Sequence, residues 1–228
     1  MRHWVNDQEL FTVIGRELFS AVIGDVLDSM DRTNQFLPPQ IHPLVESMRI
    51  MGRAMPVWAQ DCSDEEAYNT SNETTFGLML EALDALRSGE VYLCTGASPT
   101  YALWGGNMST RAMKLGAAGA LVDGYSRDTV DICHMRFPTF SWGRYARDQK
   151  FRGRVVDYRC FVTFRNNVTV EPGDLVFGDM DGVVIVPRDL EEEVVEMALS
   201  RVRSEKLVHK ALSEGLSARE AFRTYGIM

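Results

Sequence analysis

Cysteine is sparse, and its spacing serves neither of the roles it usually signals. Cys62, Cys94, Cys133 and Cys160 lie about thirty residues apart with no C-x-x-C pair, so neither a zinc-ligand spacing nor a disulfide-stapled scaffold is present. They read as reduced core thiols. No stretch approaches the ~18 uncharged apolar residues that a membrane span requires, and the polar start MRHWVNDQELF has no apolar signal core. A cytoplasmic protein without membrane partners is the expectation. Positive charge is not in excess: 24 Lys and Arg against 32 Asp and Glu leave −8, without the basic footprint of a nucleic-acid binder. The glycine-rich LWGGNMS has neither the G-x-G-x-x-G nor the G-x-x-x-x-G-K-[ST] spacing that cradles phosphates, and no G-x-S-x-G elbow occurs. The four histidines are scattered, and no repeat or low-complexity run appears.

What is present is an ordinary globular composition: 228 residues, 45% hydrophobic and 25% charged, enough for one large domain with an appendage. Nearly all the negative charge sits in residues 61–90, where eight acids face one base, Arg87, for a net −7. Apolar residues three and four apart predict helix over 6–30, broken near Ser20, and again over 75–87 and 104–115, the last ending at Gly116. Strands are expected at 50–60, 91–95 and 120–123. This alternation indicates an α/β layered domain. Closely spaced strands at 154–163, 167–170, 175–177 and 183–186 suit a small barrel or an antiparallel extension, with Asp179 and Asp181 in a turn. A long helix over 190–209 and a helical tail follow. The division expected is 1–188, a catalytic domain including the N-terminal helices, and 189–228, a helical arm for oligomerisation.

The chemistry concentrates in GAAGALVDGYSRDTVDI, residues 116–132. Small residues let a helix end approach the next strand, which delivers Asp123-Gly124 at its carboxyl end, where open α/β sheets put ligands. Arg127, Asp128 and Asp131 follow. An arginine beside an acid offers a bidentate clamp for a carboxylate next to a hard oxygen ligand for a divalent cation. The same three residues equally suit a surface salt-bridge turn with an Asp N-cap.

These residues, with VTVEPGDLVFGDMDGVVIVP, resemble the RraA-like family, which includes the 4-hydroxy-4-methyl-2-oxoglutarate aldolases, class II pyruvate aldolases with associated oxaloacetate decarboxylase activity. The similar pattern is Gly or Asp, twenty residues, Arg-Asp, two residues, then Glu or Asp; here Gly106, Arg127-Asp128 and Asp131 supply it. The likeness runs from about Phe19 to Arg188. It implies a layered swivelling β/β/α fold with a C-terminal helical arm. It also implies a metal-dependent lyase that releases pyruvate from 4-hydroxy-2-oxo acids, or decarboxylates oxaloacetate, through a metal-stabilised enolate. In that reading Asp128 binds Mg²⁺ or Mn²⁺, with Asp131 beside it and Glu205 reaching the metal of an adjacent subunit through water. Arg127 holds the pyruvate moiety, amides around Gly106, Asn107 and Met108 receive its carboxylate, and Asp131 activates a water. The resemblance further implies a homotrimer or homohexamer.

One departure stands out: several aldolases have an acid just after the Trp-Gly pair, whereas this chain reads Trp104-Gly105-Gly106-Asn107. A missing second carboxylate would weaken metal binding or alter proton movement. The family also contains proteins that inhibit a ribonuclease by contact; these tend to lack the third acid, present here as Asp131. Of the remaining groups, Asp25 and Asp28 suit helix organisation or an interface, the 61–66 acids a metal entrance or a solvated loop. The basic stripe from Arg144 to Arg159 suits carboxylates or pairing with that loop. Trp104, Phe137, Phe140 and Trp142 are candidate pocket or core residues.

Overall fold

A computed structural model describes residues 4–63 and 75–226. Of the 61–66 acids, Asp61 is described, while Asp64, Glu65 and Glu66 lie outside the described residues. In chain order the elements are α1 (Asp7–Glu17), α2 (Ser20–Ser29), β1 (His42–Pro43), β2 (Ile50–Asp61), α3 (Met79–Asp84), β3 (Glu90–Thr95), β4 (Ala102–Trp104), α4 (Gly106–Lys114), β5 (Gly119–Val122), β6 (Tyr125–Ser126), α5 (Thr129–Met135), β7 (Thr139–Ser141), β8 (Gly153–Tyr158), β9 (Val162–Thr163), β10 (Thr169–Val170), β11 (Leu175–Asp179), β12 (Gly182–Val186), α6 (Glu191–Ser213) and α7 (Ala218–Tyr225).

The main sheet runs β1-β7-β5-β3-β2-β11-β12. Its centre, β2, β3, β5 and β7, is parallel, and its flanks are antiparallel. The twelve-residue β2 is long enough to pair twice on one edge, with β11 near its start and with β8 near its end. Residues 35–43 cross from one sheet edge to the other, pairing with β12 through the Phe36–Val184 bridge and with β7 through His42–Ser141. The sheet is thereby bent into a near-barrel.

Period-two alternation sorts the strand side chains into layers. Val91 and Leu93, Leu121, Val176, and Val183 and Ile185 point into the barrel. Their neighbours Tyr92, Cys94, Ala120 and Val122 face α3 and α4. Leu175, Phe177, Val184 and Val186 face α1, α2 and the first half of α6. The two helical layers therefore sit on different faces of the sheet. Asp179 does more than shape its turn: its carboxylate accepts from the Ser20 amide at 2.8 Å and the Ser20 hydroxyl at 2.6 Å, capping the uncapped start of α2. Beyond its buried first half, α6 leaves Leu207 exposed, and α7 leaves Phe222 exposed. Among the described residues no helix is long and apolar enough to cross a membrane.

Three expected elements are cut short, each by pairing between distant segments. The 75–87 helix shrinks to α3 because Phe76 and Leu78 bond to Val155 of β8 instead (2.9–3.0 Å). Gly77 allows this with φ +58; a Cβ there would lie 2.1 Å from the Val155 carbonyl oxygen. The 104–115 helix begins only at Gly106, because Ala102–Trp104 is drawn into a strand. The 154–163 strand breaks at Arg159, whose φ is +54 and whose guanidinium turns to Glu90 at 2.7 Å. The cysteines also differ from expectation: only Cys94 is a core thiol, and the other three are half-buried.

Candidate active site

Twenty residues separate Gly106 from Arg127, and a two-stranded parallel pair closes that gap. β4 lies beside β6, Ala102 against Tyr125 and Trp104 against Ser126, and the Arg127 amide donates to the Trp104 carbonyl at 2.9 Å. The chain then turns at Asp128, held in the left-handed region (φ 55, ψ 35) at the start of α5. Asp tolerates that region better than most residues, at a cost of roughly 1–3 kcal/mol. Asp128 occupies an N-cap position, yet its carboxylate caps nothing in α5. It instead accepts from the Gly106 amide at 3.2 Å. Of the salt-bridge-turn reading, the Arg127–Asp128 ion pair and the N-cap position are present, and the side-chain cap is not.

Asp128 stands at the edge of a cleft of about 250 Å³. One rim is polar: Asn107 at the start of α4, Arg127, Asp128, Asp148 and Gln149. The opposite wall is apolar, built from Phe76, the α3 residues Met79, Leu80 and Leu83, and from Leu103 and Met108. Arg127 is bracketed by acids, with Nε 3.7 Å from Asp128 and Nη1 3.3 Å from Asp148. α4 has glycine at its N-cap and no side-chain cap from it, and Asn107 and Met108 of its first turn line the cleft, which sets the positive end of the helix dipole beside it, a ready anion site. Trp104 forms the floor, tilted against Tyr92 at 4.9 Å and stacked on Phe137 at 6.1 Å, its indole nitrogen donating to Ser109 at 2.7 Å. Phe137 and Phe140 are core, and Trp142 serves elsewhere.

The expected residues are distributed as follows. Arg127, Asp128, Asn107 and Met108 converge on the cleft. Gly106 does not line it; it donates to Asp128 and leaves room, since a Cβ there would lie 3.1 Å from the Asp128 Cβ and 3.7 Å from the Asp131 Cβ. Asp131 is exposed on the first turn of α5, beside Asp128 but off the cleft wall. Glu205 accepts from Arg201 at 3.3 Å, and Arg201 also binds Asp25 at 2.6 Å; α6 packs with α1 and α2, on another face from α4. Within one chain Glu205 does not join the other acids. Asp123 is turned inward, 1% exposed, accepting from Thr95, Trp142 and Arg165 at 2.8–3.1 Å; it braces the strand ends. Asp148 and Gln149 were missed, the first being one of two acids in the basic stripe from Arg144 to Arg159. The Gln149 amide nitrogen is buried without a hydrogen-bond partner among the described residues.

The donor set suits a hard cation. Among the described residues no three His, Cys, Asp or Glu side chains group as the cage that a closed zinc-type site uses. Mg²⁺, by contrast, keeps several waters and takes one or two carboxylates, and Asp128 with Asp131 beside it matches that demand.

Residues 20–185 match the RraA-like family, described as aldolase/RraA. A Halalkalibacterium halodurans protein, provisionally named 4-hydroxy-4-methyl-2-oxoglutarate aldolase, is 29% identical over 211 residues, covering 91% of this chain and 90% of its own. Protein DlpA of Legionella pneumophila is 26% identical over 207 residues; the match covers 90% of this chain and only 32% of DlpA, about a third of its length. A crystal structure from Pseudomonas syringae pv. tomato superposes with a TM-score of 0.84 at 26% identity, covering 99% of this chain and 98% of that one. The Gly106/Arg127-Asp128/Asp131 pattern, the near-barrel fold that assembles it, and a match over most of the chain together establish that the chain belongs to the RraA-like family.

Proposed function

We propose that the chain is a divalent-metal-dependent carbon–carbon lyase of the aldolase type, which cleaves 4-hydroxy-2-oxo acids to pyruvate, decarboxylates oxaloacetate, or both, in a homotrimer or homohexamer. One observation carries this reading: Arg127 and Asp128 share the cleft rim with the first turn of α4, whose glycine N-cap supplies no side-chain cap. The provisional name of the H. halodurans relative supports it.

In this reading the Asn107 and Met108 amides receive the 2-oxo acid carboxylate. Cleavage leaves negative charge on the 2-oxo oxygen, and the Arg127 guanidinium, oriented by Asp148, faces it. A preorganised donor of this kind accounts for roughly 10²–10³ in rate. Mg²⁺ or Mn²⁺ held by Asp128, with Asp131 and a partner's acid at the Glu205 position in support, would supply Lewis-acid stabilisation of the same charge. Asp131 takes up, through water, the proton of the 4-hydroxyl and returns it to the product carbon. Among the described residues no lysine lines the cleft to carry a Schiff-base route, and Lys114 is exposed at the far end of α4.

The test is pyruvate release by purified protein from such substrates with Mg²⁺ or Mn²⁺. EDTA, and separately Asp128→Ala, should each lower kcat/KM by about 10²–10³. Activity that survives both sinks the proposal. Tight ribonuclease binding with no metal affinity would replace it with the inhibitor reading.

A further inference from the structure

Resting on the lyase reading above, the cleft also discriminates among substrates. We infer that its distal half takes an uncharged, apolar substituent at C4 of a 4-hydroxy-2-oxo acid, rather than a second carboxylate.

Charge and wall chemistry both point this way. Arg127 is the only cation lining the cleft among the described residues, and it already faces two carboxylates, Asp128 and Asp148. The uptake of one substrate carboxylate by the α4 amides leaves no further cation for another among the described residues that line the cleft. The stretch 64–74 contains neither Lys nor Arg, so it supplies none. The remaining wall is Met79, Leu80 and Leu83 of α3 with Phe76, Leu103 and Met108. Leu80 is 54% exposed despite its apolar side chain, an unfilled apolar surface continuous with the reactive rim. A carboxylate against that wall would lose hydration without gaining a donor. Arg144 lies in a separate groove, with Ser126, Thr129 and Tyr145, that shares only Arg127 and Asp128 with the cleft.

The reaction balances without a redox partner. The C3–C4 bond of R–CH(OH)–CH₂–CO–COO⁻ breaks, the hydroxyl proton leaves, and C3 gains a proton, giving R–CHO and pyruvate. Here R is an alkyl or aryl group.

Two measurements test this on the intact protein with Mg²⁺. In calorimetric titrations with uncleavable 2-oxo acids, 2-oxohexanoate should bind at least tenfold more tightly than 2-oxoglutarate, with affinity rising about fourfold per added methylene. In the pyruvate assay, 4-hydroxy-2-oxohexanoate should exceed 4-hydroxy-2-oxoglutarate in kcat/KM by a similar factor. Leu80→Arg, at an exposed helical position, should shift both ratios toward the dicarboxylate by at least tenfold. Equal or tighter binding of 2-oxoglutarate by the unmodified protein overturns the inference, whether through Arg144 or otherwise. So does an oligomer that dissociates on Leu80→Arg in light scattering while ligand preference stays unchanged, since the wall is then covered by another copy. Absence of pyruvate from every substrate would instead strike the lyase reading, and the calorimetric ratio separates the two failures.

Discussion

Gly105 offers a clean perturbation of the reactive rim. Its backbone is extended, φ −157 and ψ 179, a conformation open to any residue, so alanine carries no backbone strain. The added methyl would lie 3.0 Å from the Asp128 Oδ2 atom, 3.4 Å from the Arg127 Cγ and 3.6 Å from its Nε. Oδ2 is the atom that accepts from the Gly106 amide. The methyl must therefore push the carboxylate outward by a few tenths of an ångström. Alanine gains roughly 0.4–1 kcal/mol from the reduced freedom of the unfolded chain, and the close contact offsets much of it, so urea unfolding should show a change within about 1 kcal/mol. Activity should respond more strongly. Misplacement of a reacting group by 1 Å costs on the order of 10²-fold, and a shift of a few tenths should lower kcat/KM about 5- to 20-fold, or roughly 1–2 kcal/mol of transition-state stabilisation. Mg²⁺ affinity, followed by calorimetry, should fall with it. Met113→Ala, at the exposed far end of α4, serves as the control and should change neither. Gly105→Ala with full kcat/KM and unchanged metal affinity would refute the placement of Asp128 as the ligand. A loss of activity matched by a loss of folded protein would show that the glycine serves stability alone.

Two further perturbations concern the scaffold. Arg53 is bound by Glu191 and Asp7, and both Arg53 and Glu191 side chains are 9% exposed; burial disfavours the guanidinium charge, but these bonds keep it firmly protonated. Arg53→Met leaves Glu191 buried without its partner and should destabilise by about 2–4 kcal/mol in urea, below the upper end for broken buried pairs because Asp7 is half-exposed; a change under about 1 kcal/mol would show that the network is dispensable. Burial raises the Asp61 carboxyl, but bonds from the Tyr101 hydroxyl at 2.6 Å and the Ser98 amide at 3.0 Å outweigh it and hold it below its ordinary value. A depressed acid stabilises the fold above the unfolded pKa of about 3.9 and loses that contribution as pH falls through the folded value. Tyr101→Phe should therefore be less stable than the unmodified chain by about 1 kcal/mol at pH 7, after discounting for the exposure of Asp61, and the gap should close below about pH 4. A gap independent of pH would mean that the hydroxyl acts through packing.

Local patterns located α1 and α2, the core of β2, β3 and β5, the β11–β12 pair and the long α6, because each buries a face of period 3.6 or 2 that is written into consecutive residues. The Arg127-Asp128 pair and its spacing from Gly106 were equally visible, since they form a linear pattern. What local pattern could not show was pairing at long range. Phe76 and Leu78 read as helix but are claimed by β8, and Ala102–Trp104 reads as the start of a helix but pairs with β6. That second pairing turns a spacing in sequence into contact between Gly106 and Asp128.

The amino-acid sequence by itself thus determined the α/β class, the family and the motif residues, which depend on neighbours in the chain. Only the tertiary structure decided that Asp128 spends its carboxylate on Gly106 rather than on its own helix, and that Asp148 and the α3 wall complete the cleft. It also showed Glu205 on another face and Asp123 as a buried brace. These assignments rest on which distant segments lie side by side, and periodicity carries no information about that.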